Sequence, residues 1–159
     1  MSQAIRLADM LVDQGLTLAT AESCTGGWVS MLITSVAGSS NWFDRGFVTY
    51  SYPSKTAMLN VSEEMLYEFG AVSEQVASQM ALGALESSMA DIAIAVTGVA
   101  GPGADGEKAE GLVWLGLATA NGVETKKQNY GPIGRDNVRL ATVKTALTWL
   151  LNDIPSLKV

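Results

Sequence analysis

The chain contains 159 residues, of which 48% are hydrophobic and 16% charged, and its formal net charge at pH 7 is -6. This size and composition predict one globular domain, residues 1–159, around a single packed core. The acidic excess argues against nucleic-acid binding, because contact with phosphates requires a basic face. One cysteine and no histidine exclude an internal disulfide, the histidine-dependent catalytic triads and the usual zinc ligand sets.

The sequence also lacks the usual targeting and cofactor signals. No stretch is long and apolar enough to predict a membrane span, and MSQAIRLADM does not resemble a signal peptide. We therefore expect a cytoplasmic protein without membrane contact. The glycine-rich segments match neither the dinucleotide fingerprint nor the P-loop, and no acidic cluster suggests magnesium. We expect neither a cofactor nor a metal.

Hydrophobic periodicity and turn residues predict alternating helices and strands in the first half of the chain. Strands are expected over 16–22 and 43–51. Helices are expected over 3–15, 25–38, 53–60 and 62–70. The side chains predicted to face the core from the first two helices are Ile5, Ala8, Leu11 and Val12, followed by Trp28, Met31, Leu32, Ser35 and Val36.

The second half continues the alternation and then adds a hairpin. Two strands within 111–130 are joined by Asn121-Gly122, a sequence typical of tight hairpins. The remaining predicted elements are a helix over 73–89, a buried strand over 90–98 and a helix over 135–153. Their predicted inward side chains are Val76, Met80, Leu82 and Leu85, then Val138, Ala141, Thr145 and Trp149. The pattern predicts an α/β fold, a three-layer α/β/α sandwich with a mixed sheet of about five strands including one antiparallel hairpin.

Two glycine-rich segments follow predicted strands, ESCTGG at 22–27 and TGVAGPG at 97–103. Open α/β sheets bind ligands outside the carboxyl ends of their strands, so we expect both segments at one site. Near a helix start, Gly26 and Gly27 would expose backbone N–H groups to an anion or oxyanion. The simpler alternative is that Ser23 or Thr25 only caps the helix and the glycines only turn the chain. The second segment could likewise line a phosphate or amide pocket, or only form a turn.

Ser23, Cys24 and Thr25 are three adjacent potential nucleophiles, and without histidine their base must be another residue type. Lys55 follows Tyr50 by five positions. A desolvated lysine has a lowered pKa and can accept a serine proton, although an exposed surface lysine is the commoner situation. Tyr50 could bind substrate or only border the core.

Arg135 and Arg139 lie one turn apart at the start of the predicted last helix. Cations at that end oppose the helix dipole, which favours a functional role such as phosphate binding.

These motifs together resemble the C-terminal domain family of CinA, the competence- and damage-inducible protein. The resemblance is carried, in order, by TAESCTGG, FVTYS with the following lysine, TGVAGP and GRDNVR, and it runs from about Leu16 to Leu150. It implies a mixed five-stranded sheet between helices, no metal and a frequent homodimer. Stand-alone members act as nicotinamide-nucleotide amidohydrolases, which implies hydrolysis of nicotinamide mononucleotide to nicotinate mononucleotide and ammonia.

The resemblance also implies roles for individual residues. Ser23 matches the nucleophile, Lys55 the base, and Tyr50 a further residue of the catalytic pocket. Cys24 is the rival nucleophile, because a thiol at a helix start is often acidified. The expected substrate-binding residues are Cys24, Thr25, Gly26, Gly27, Thr97, Gly98, Gly101, Arg135 and Arg139.

The chain departs from the family pattern in the loop before the hairpin. Ala104 and Asp105 stand near expected glycines, and Ala109-Glu110-Gly111 replaces a proline motif. We expect this change in residues 103–111 to affect substrate preference more than the core chemistry. The alternative function is a non-catalytic nucleotide-binding or regulatory domain of the same fold.

Overall fold

The computed structural model describes residues 2–157 as a five-stranded sheet with helices on both faces. The strands are β1 (Leu18–Glu22), β2 (Phe43–Val48), β3 (Ile92–Gly98), β4 (Leu112–Thr119) and β5 (Gly122–Asn129). The helices are α1 (Gln3–Gln14), α2 (Trp28–Thr34), α3 (Tyr52–Leu59), α4 (Glu63–Phe69), α5 (Glu74–Glu86) and α6 (Arg135–Asp153). Short 3-10 turns occupy Ser39–Asn41 and Ile154–Ser156.

The sheet is mixed, with strand order β2-β1-β3-β4-β5. β1 pairs in parallel with β2 and β3, whereas β4 runs antiparallel to β3 and to β5. The chain moves outward from β1 in both directions, so the carboxyl ends of β1 and β3 lie at a topological switch point. The predicted α/β fold with its antiparallel hairpin is confirmed.

The two faces of β3 show why the helical layers differ. Ile92, Ile94 and Val96 belong to the larger core cluster, which includes side chains of α1, α2 and α6. Ala93 and Ala95 face the other cluster, where α5 packs. Small side chains allow α5 to approach the sheet closely: a Cβ added to Gly116 would lie 2.5 Å from the carbonyl oxygen of Ala77.

The predicted buried face of α1 is wrong by part of a turn. Ile5 and Val12 are exposed, whereas Ala8 and Leu11 are buried as expected. The buried side chains of α1 are Ala4, Leu7, Ala8 and Leu11. Apolar residues occur on more than one side of this helix, so packing against α6 decides which side is covered.

The prediction for α2 is wrong in both its bounds and its face. Gly26 and Gly27 have φ values of 60° and 102° and precede the helix, which therefore begins at Trp28 instead of Thr25. The helix ends at Thr34 and buries Val29 and Ile33. Of the side chains predicted to face inward, Met31 and Ser35 are exposed and Trp28, Leu32 and Val36 are only partly buried.

The later helices bury smaller or differently spaced side chains than predicted. Leu82 of α5 is exposed, because the small residues around it fit closest to the sheet. The buried residues of α5 are Val76, Ala77, Met80, Ala81, Gly83 and Ala84. In α6 the predicted Val138 and Trp149 are buried, but Ala141 and Thr145 are only partly so. Within residues 2–157 no helix is long and apolar enough to cross a membrane.

Candidate active site

Three strand exits meet at one edge of the sheet, and two of them, those of β1 and β3, are the pair that the sequence predicts. Ser23 follows β1 and its N–H donates to Val96 O of β3 at 3.0 Å. Thr49 follows β2 and its N–H donates to Glu22 O of β1 at 2.9 Å. These bonds extend the parallel sheet by one residue and bring the three exits into contact.

Lys55 reaches Ser23 from α3. Its Nζ lies 2.9 Å from Ser23 Oγ, and the whole lysine is buried, with 0% of its surface exposed. Helix α3 starts next to the site because Ser51 forms a capping box with Ser54. The alternative of an exposed surface lysine is therefore wrong.

Burial sets the protonation of Lys55. Its Nζ also donates to Thr49 O at 2.5 Å, and no carboxylate within residues 2–157 forms a salt bridge with it. Loss of hydration lowers the pKa of the Lys55 ammonium to about 8. About a tenth of such lysines are neutral at pH 7. The neutral amine can accept the Ser23 hydroxyl proton along the 2.9 Å contact.

Sequence reasoning missed Glu22, the residue immediately before Ser23. Its carboxylate is buried, with 1% exposed, and accepts four hydrogen bonds. Oε1 accepts from Thr25 Oγ1 at 2.7 Å and from Val29 N at 2.8 Å. Oε2 accepts from the N–H and hydroxyl of Ser30 at 3.0 and 2.8 Å. The only sequence signal was an acidic residue ending an otherwise apolar strand.

The Glu22 contacts fix the turn that carries Ser23. Two donors, Val29 N and Ser30 N, belong to the first turn of α2, where unpaired N–H groups favour a negative charge. The Thr25 hydroxyl ties the middle of the turn to the same carboxylate. A buried carboxylate with this many donors stabilises one conformation of the turn.

The turn leaves backbone donors beside Ser23. Gly26 N donates to Ser23 O at 3.0 Å, so this N–H is used within the turn. The N–H groups of Cys24, Thr25 and Gly27 have no acceptor among residues 2–157. The Gly26 N–H, which the sequence predicts to face an anion, is therefore already bonded, whereas the N–H groups of its neighbours are available to an acceptor.

Cys24 does not have the properties expected of a reactive thiol. It is buried, with 6% of its surface exposed, and burial raises the pKa of the thiol to about 11. The expectation of an acidified thiol at a helix start is wrong, because Cys24 lies before the helix and is desolvated. The thiolate fraction at pH 7 is on the order of one in ten thousand.

A cleft of about 330 Å³ opens beside Ser23. Seven residues predicted for the site line it: Ser23, Cys24, Tyr50, Thr97, Gly98, Gly101 and Arg135. The other lining residues are Tyr52, Ala71, Val72, Val99, Ala100, Pro102, Gly103, Ala104 and Asp105. Lys55 reaches Ser23 by its hydrogen bond and is not part of the lining, whereas Thr25, Gly26, Gly27 and Arg139 also lie outside it.

Arg135 and Tyr50 form part of the cleft wall. Arg135 donates through Nη1 to Gly101 O at 2.7 Å and through Nη2 to Tyr50 Oη at 2.9 Å. Tyr50 is 61% exposed and makes no hydrogen bond to Ser23 or Lys55. Thr97 donates through Oγ1 to Ala71 O at 2.8 Å and thereby joins β3 to the opposite wall.

Arg139 occupies a different position from Arg135. Its Nε donates to Cys24 O at 3.1 Å and its Nη2 to Thr25 O at 3.3 Å. Its guanidinium also lies 5.4 Å from the ring centre of Trp28. One helical turn deeper than Arg135, it supports the nucleophile turn from behind and does not face the cleft.

The loop after β3 is held by a lysine that the sequence reasoning did not identify. Lys108 Nζ donates to the carbonyls of Phe69 and Val72, between α4 and α5. Its backbone pairs with that of Asp105 across a tight turn. The loop is thus held against the connection between α4 and α5 by these hydrogen bonds. Within the part of the chain that the structure describes, no three His, Cys, Asp or Glu side chains are placed to hold a metal ion.

Fold and site together define an α/β protein with a buried serine–lysine pair at a cleft on the carboxyl edge of its sheet. The chain belongs to the CinA C-terminal domain family, whose pattern matches residues 2–154. The resemblance drawn from the sequence motifs is thereby confirmed.

The chain is similar to curated proteins of about its own length and to longer ones that it covers only in part. One is the nicotinamide-nucleotide amidohydrolase PncC of Escherichia coli, 47% identical over 146 residues that cover 91% of this chain and 88% of that protein. Another is a putative competence-damage inducible protein of Caldicellulosiruptor saccharolyticus, 50% identical over 149 residues that cover 93% of this chain but 36% of that longer protein.

Solved structures agree with the fold. The crystal structure of the competence/damage inducible protein CihA from Agrobacterium tumefaciens has a TM-score of 0.91 and 51% sequence identity, covering 94% of this chain and 93% of that one. The competence damage-inducible protein A from Klebsiella pneumoniae has a TM-score of 0.94 and 34% identity, covering 98% and 97%.

Proposed function

We propose that this chain hydrolyses the carboxamide of nicotinamide mononucleotide to nicotinate mononucleotide and ammonia. The similarity to PncC over 91% of the chain supports the substrate. The observation that carries the chemistry is the 2.9 Å contact between Ser23 Oγ and the buried Lys55 Nζ. A serine nucleophile needs an adjacent base, and this lysine supplies one in a chain without histidine.

In the first half of the reaction, Ser23 Oγ attacks the amide carbon while neutral Lys55 accepts the hydroxyl proton. The C–O bond forms and the carbonyl oxygen gains negative charge. We assign the unpaired N–H groups of the turn, those of Cys24, Thr25 and Gly27, as the pool of donors to this oxyanion, and of these three residues Cys24 lines the cleft. Donors fixed before the reaction stabilise such a charge without reorganisation.

In the second half, the C–N bond breaks and Lys55 returns its proton to the departing nitrogen, which leaves as ammonia. The nicotinate group remains as an ester on Ser23. Water then attacks this ester with Lys55 again accepting a proton, and the proton passes to Ser23 Oγ as the acid is released. Lys55 can act in both steps because its pKa of about 8 lies near neutral pH.

The cleft offers a matching binding surface. Arg135 is assigned to the 5'-phosphate, since its guanidinium lines the cleft and suits a phosphate geometrically. Tyr50 contacts Arg135 and not the serine–lysine pair, so we propose that it binds substrate and does not transfer protons. Arg139 is assigned to supporting the turn through the carbonyls of Cys24 and Thr25.

The test is ammonia release from nicotinamide mononucleotide by the purified chain in the presence of a chelator, beside Ser23→Ala and Cys24→Ala. We expect release by the unmodified chain and by Cys24→Ala, and loss in Ser23→Ala alone. Loss of ammonia release in Cys24→Ala alone would show that the Cys24 thiol, and not the Ser23 hydroxyl, is the nucleophile. Binding of the nucleotide with no ammonia release would support the alternative, a non-catalytic nucleotide-binding or regulatory domain.

Four expectations from the sequence stay predictions beside this proposal. They are a single domain over residues 1–159, a cytoplasmic location, a homodimer and the absence of nucleic-acid binding. Residues 1, 158 and 159 of the predicted domain lie outside the described residues. Light scattering of the purified chain would measure the oligomeric state directly.

A further inference from the structure

We propose that Glu110 is a positioning residue that sets the phosphate-binding wall of the cleft in this chain. The inference rests on the proposed function, in which Arg135 binds the 5'-phosphate of the substrate. Glu110 does not line the cleft itself. It acts on two segments that do, the loop at 101–103 and the start of α6.

The Glu110 carboxylate joins these segments through its two oxygens. Oε1 accepts from Gly103 N at 2.6 Å, and Oε2 accepts from Gly134 N at 3.3 Å. Gly103 is part of the cleft lining, and Gly134 is the residue directly before Arg135. One side chain therefore fixes both the loop and the residue that starts the arginine-bearing helix.

The backbone around Glu110 is itself fixed. Gly111 N donates to Val99 O at 2.8 Å, and Tyr130 N donates to Gly111 O at 2.9 Å. A Cβ on Gly111 would lie 2.3 Å from Gly131 O, so the two backbone segments are too close for a side chain at this position. The carboxylate thus extends from an anchored point on the sheet edge.

The loop has space for this carboxylate because Gly101 has no side chain. A Cβ on Gly101 would lie 2.3 Å from Glu110 Oε1. Gly101 also has a φ of 88°, which other residues rarely adopt. The glycine therefore serves both the turn and the close approach of Glu110.

Arg135 completes the connection. Its Nη1 donates to Gly101 O at 2.7 Å, so the loop that Glu110 holds also orients the guanidinium. The contacts to Gly101 and Tyr50 use two of the five guanidinium N–H donors, and the other three have no acceptor among residues 2–157. Three free donors in a fixed orientation match the terminal oxygens of a phosphomonoester.

A carboxylate is required because both of its oxygens accept. A glutamine has one acceptor oxygen and one NH2 donor, so it would leave either Gly103 N or Gly134 N without its partner. Glu110 also lies in the segment, residues 103–111, that the sequence motifs predict to differ from the family pattern. We therefore expect Glu110 to affect substrate binding and not the chemistry at Ser23.

The experiment compares kcat and KM of Glu110→Ala and Glu110→Gln with the unmodified chain, on nicotinamide mononucleotide and on nicotinamide riboside, which lacks the phosphate. We expect Glu110→Ala to raise KM for the nucleotide about tenfold, as loss of one oriented charged contact does. We expect kcat to stay within about twofold and kcat/KM for the riboside to be unchanged, because chemistry uses the other wall.

Glu107→Gln is the matched control, because Glu107 is exposed on the same loop and bonds to no residue among 2–157. It makes the same charge change without touching the cleft, and its KM should equal that of the unmodified chain. Equal effects of Glu107→Gln and Glu110→Gln on KM would overturn the proposal. So would a loss in Glu110→Ala that is the same for the nucleotide and the riboside.

A binding measurement separates this proposal from the proposed function. Calorimetric titration with nicotinate mononucleotide requires no turnover. Should the unmodified chain release no ammonia, the proposed function fails, yet a Kd raised about tenfold in Glu110→Ala and unchanged in Glu107→Gln would still support the positioning role. Equal Kd values in all variants would overturn it. Circular dichroism confirms that each variant is folded, and Glu110→Gln replaces Glu110→Ala if the latter is not.

Discussion

The two walls of the cleft are both glycine-rich segments that follow parallel strands, but they are held in different ways. The nucleophile turn, residues 23–27, is anchored in the core: Glu22 is buried and binds four donors. The glycine loop, residues 98–111, has half of its residues exposed and is held by Glu110 and Lys108 at its far end.

This difference matches the tasks proposed for each wall. Bond formation at Ser23 tolerates little displacement, and a buried, fully bonded carboxylate keeps the turn in one conformation. Substrate selection needs a wall that sequence change can alter without loss of the fold. The exposed contacts of the glycine loop permit that, and this is the segment in which the sequence motifs predict a departure from the family pattern.

The largest effect is expected from Lys55→Met, which removes the base and keeps an unbranched side chain in its place. We expect kcat to fall about a thousandfold or more, since a positioned base contributes on that order. Because Lys55 is fully buried, the neutral methionine also avoids desolvation of a charge, so the thermal midpoint at pH 7 should not fall. Near-normal ammonia release by a folded Lys55→Met variant would rule out Lys55 as the base.

The clearest difference between the two walls should be the stability lost on Glu22→Gln compared with Glu110→Gln. The same chemical change at Glu22 leaves buried donors without acceptors and should lower the free energy of unfolding by about 3 kcal/mol. At the partly exposed Glu110 the loss should stay below about 1 kcal/mol. Urea denaturation of both variants measures the difference. Similar losses would mean that the walls are anchored alike.

The pH dependence of turnover should report the protonation of Lys55 beside the nucleophile turn. Lys55 must be neutral to act as base, so kcat/KM should rise with pH and level off above the Lys55 pKa of about 8. Between pH 6 and 8 the expected increase is about fiftyfold. A profile that is flat across this range would contradict the assignment.

The free energy of unfolding should also depend on pH through Lys55, and it should rise with pH. The unfolded lysine binds its proton up to its ordinary pKa of 10.5, whereas the folded one releases it near 8. The unfolded state binds more protons between these values, so this group adds stability as pH rises through that window. Denaturation of the unmodified chain and Lys55→Met at pH 7 and pH 10 measures the contribution by difference.

The smallest of these effects belongs to the second wall. Arg135→Gln removes the cation assigned to the phosphate and should raise KM for nicotinamide mononucleotide about tenfold, with kcat changed less than about threefold. Steady-state ammonia release gives both constants. Arg139→Gln serves as comparison, because Arg139 supports the nucleophile turn and should affect kcat. An unchanged KM in Arg135→Gln would remove the residue from substrate binding.

Much of this arrangement follows from sequence because it depends on topology. Strand exits of a parallel sheet share one edge, so ESCTGG and TGVAGPG had to meet. The proximity of Ser23 to Lys55, by contrast, came from the family resemblance, since periodicity alone treats a lysine as exposed. Its burial depends on the position of α3, which a local pattern does not contain.

The rest depends on tertiary packing. The roles of Glu22 and Arg139 are set by contacts between segments distant in the chain or by a turn whose shape Gly26 and Gly27 determine. The predictions of the buried faces of α1 and α2 are wrong for a related reason: each helix has apolar residues on more than one side, and the neighbouring helices select one.

The most direct test of the account is to look for the ester on Ser23. The chain is mixed with nicotinamide mononucleotide, stopped in acid within one turnover, digested and fragmented in a mass spectrometer. We expect the nicotinate mononucleotide acyl group on Ser23, with none on Cys24 and none in Ser23→Ala. An acyl group on Cys24, or rapid ammonia release by Ser23→Ala, would contradict it.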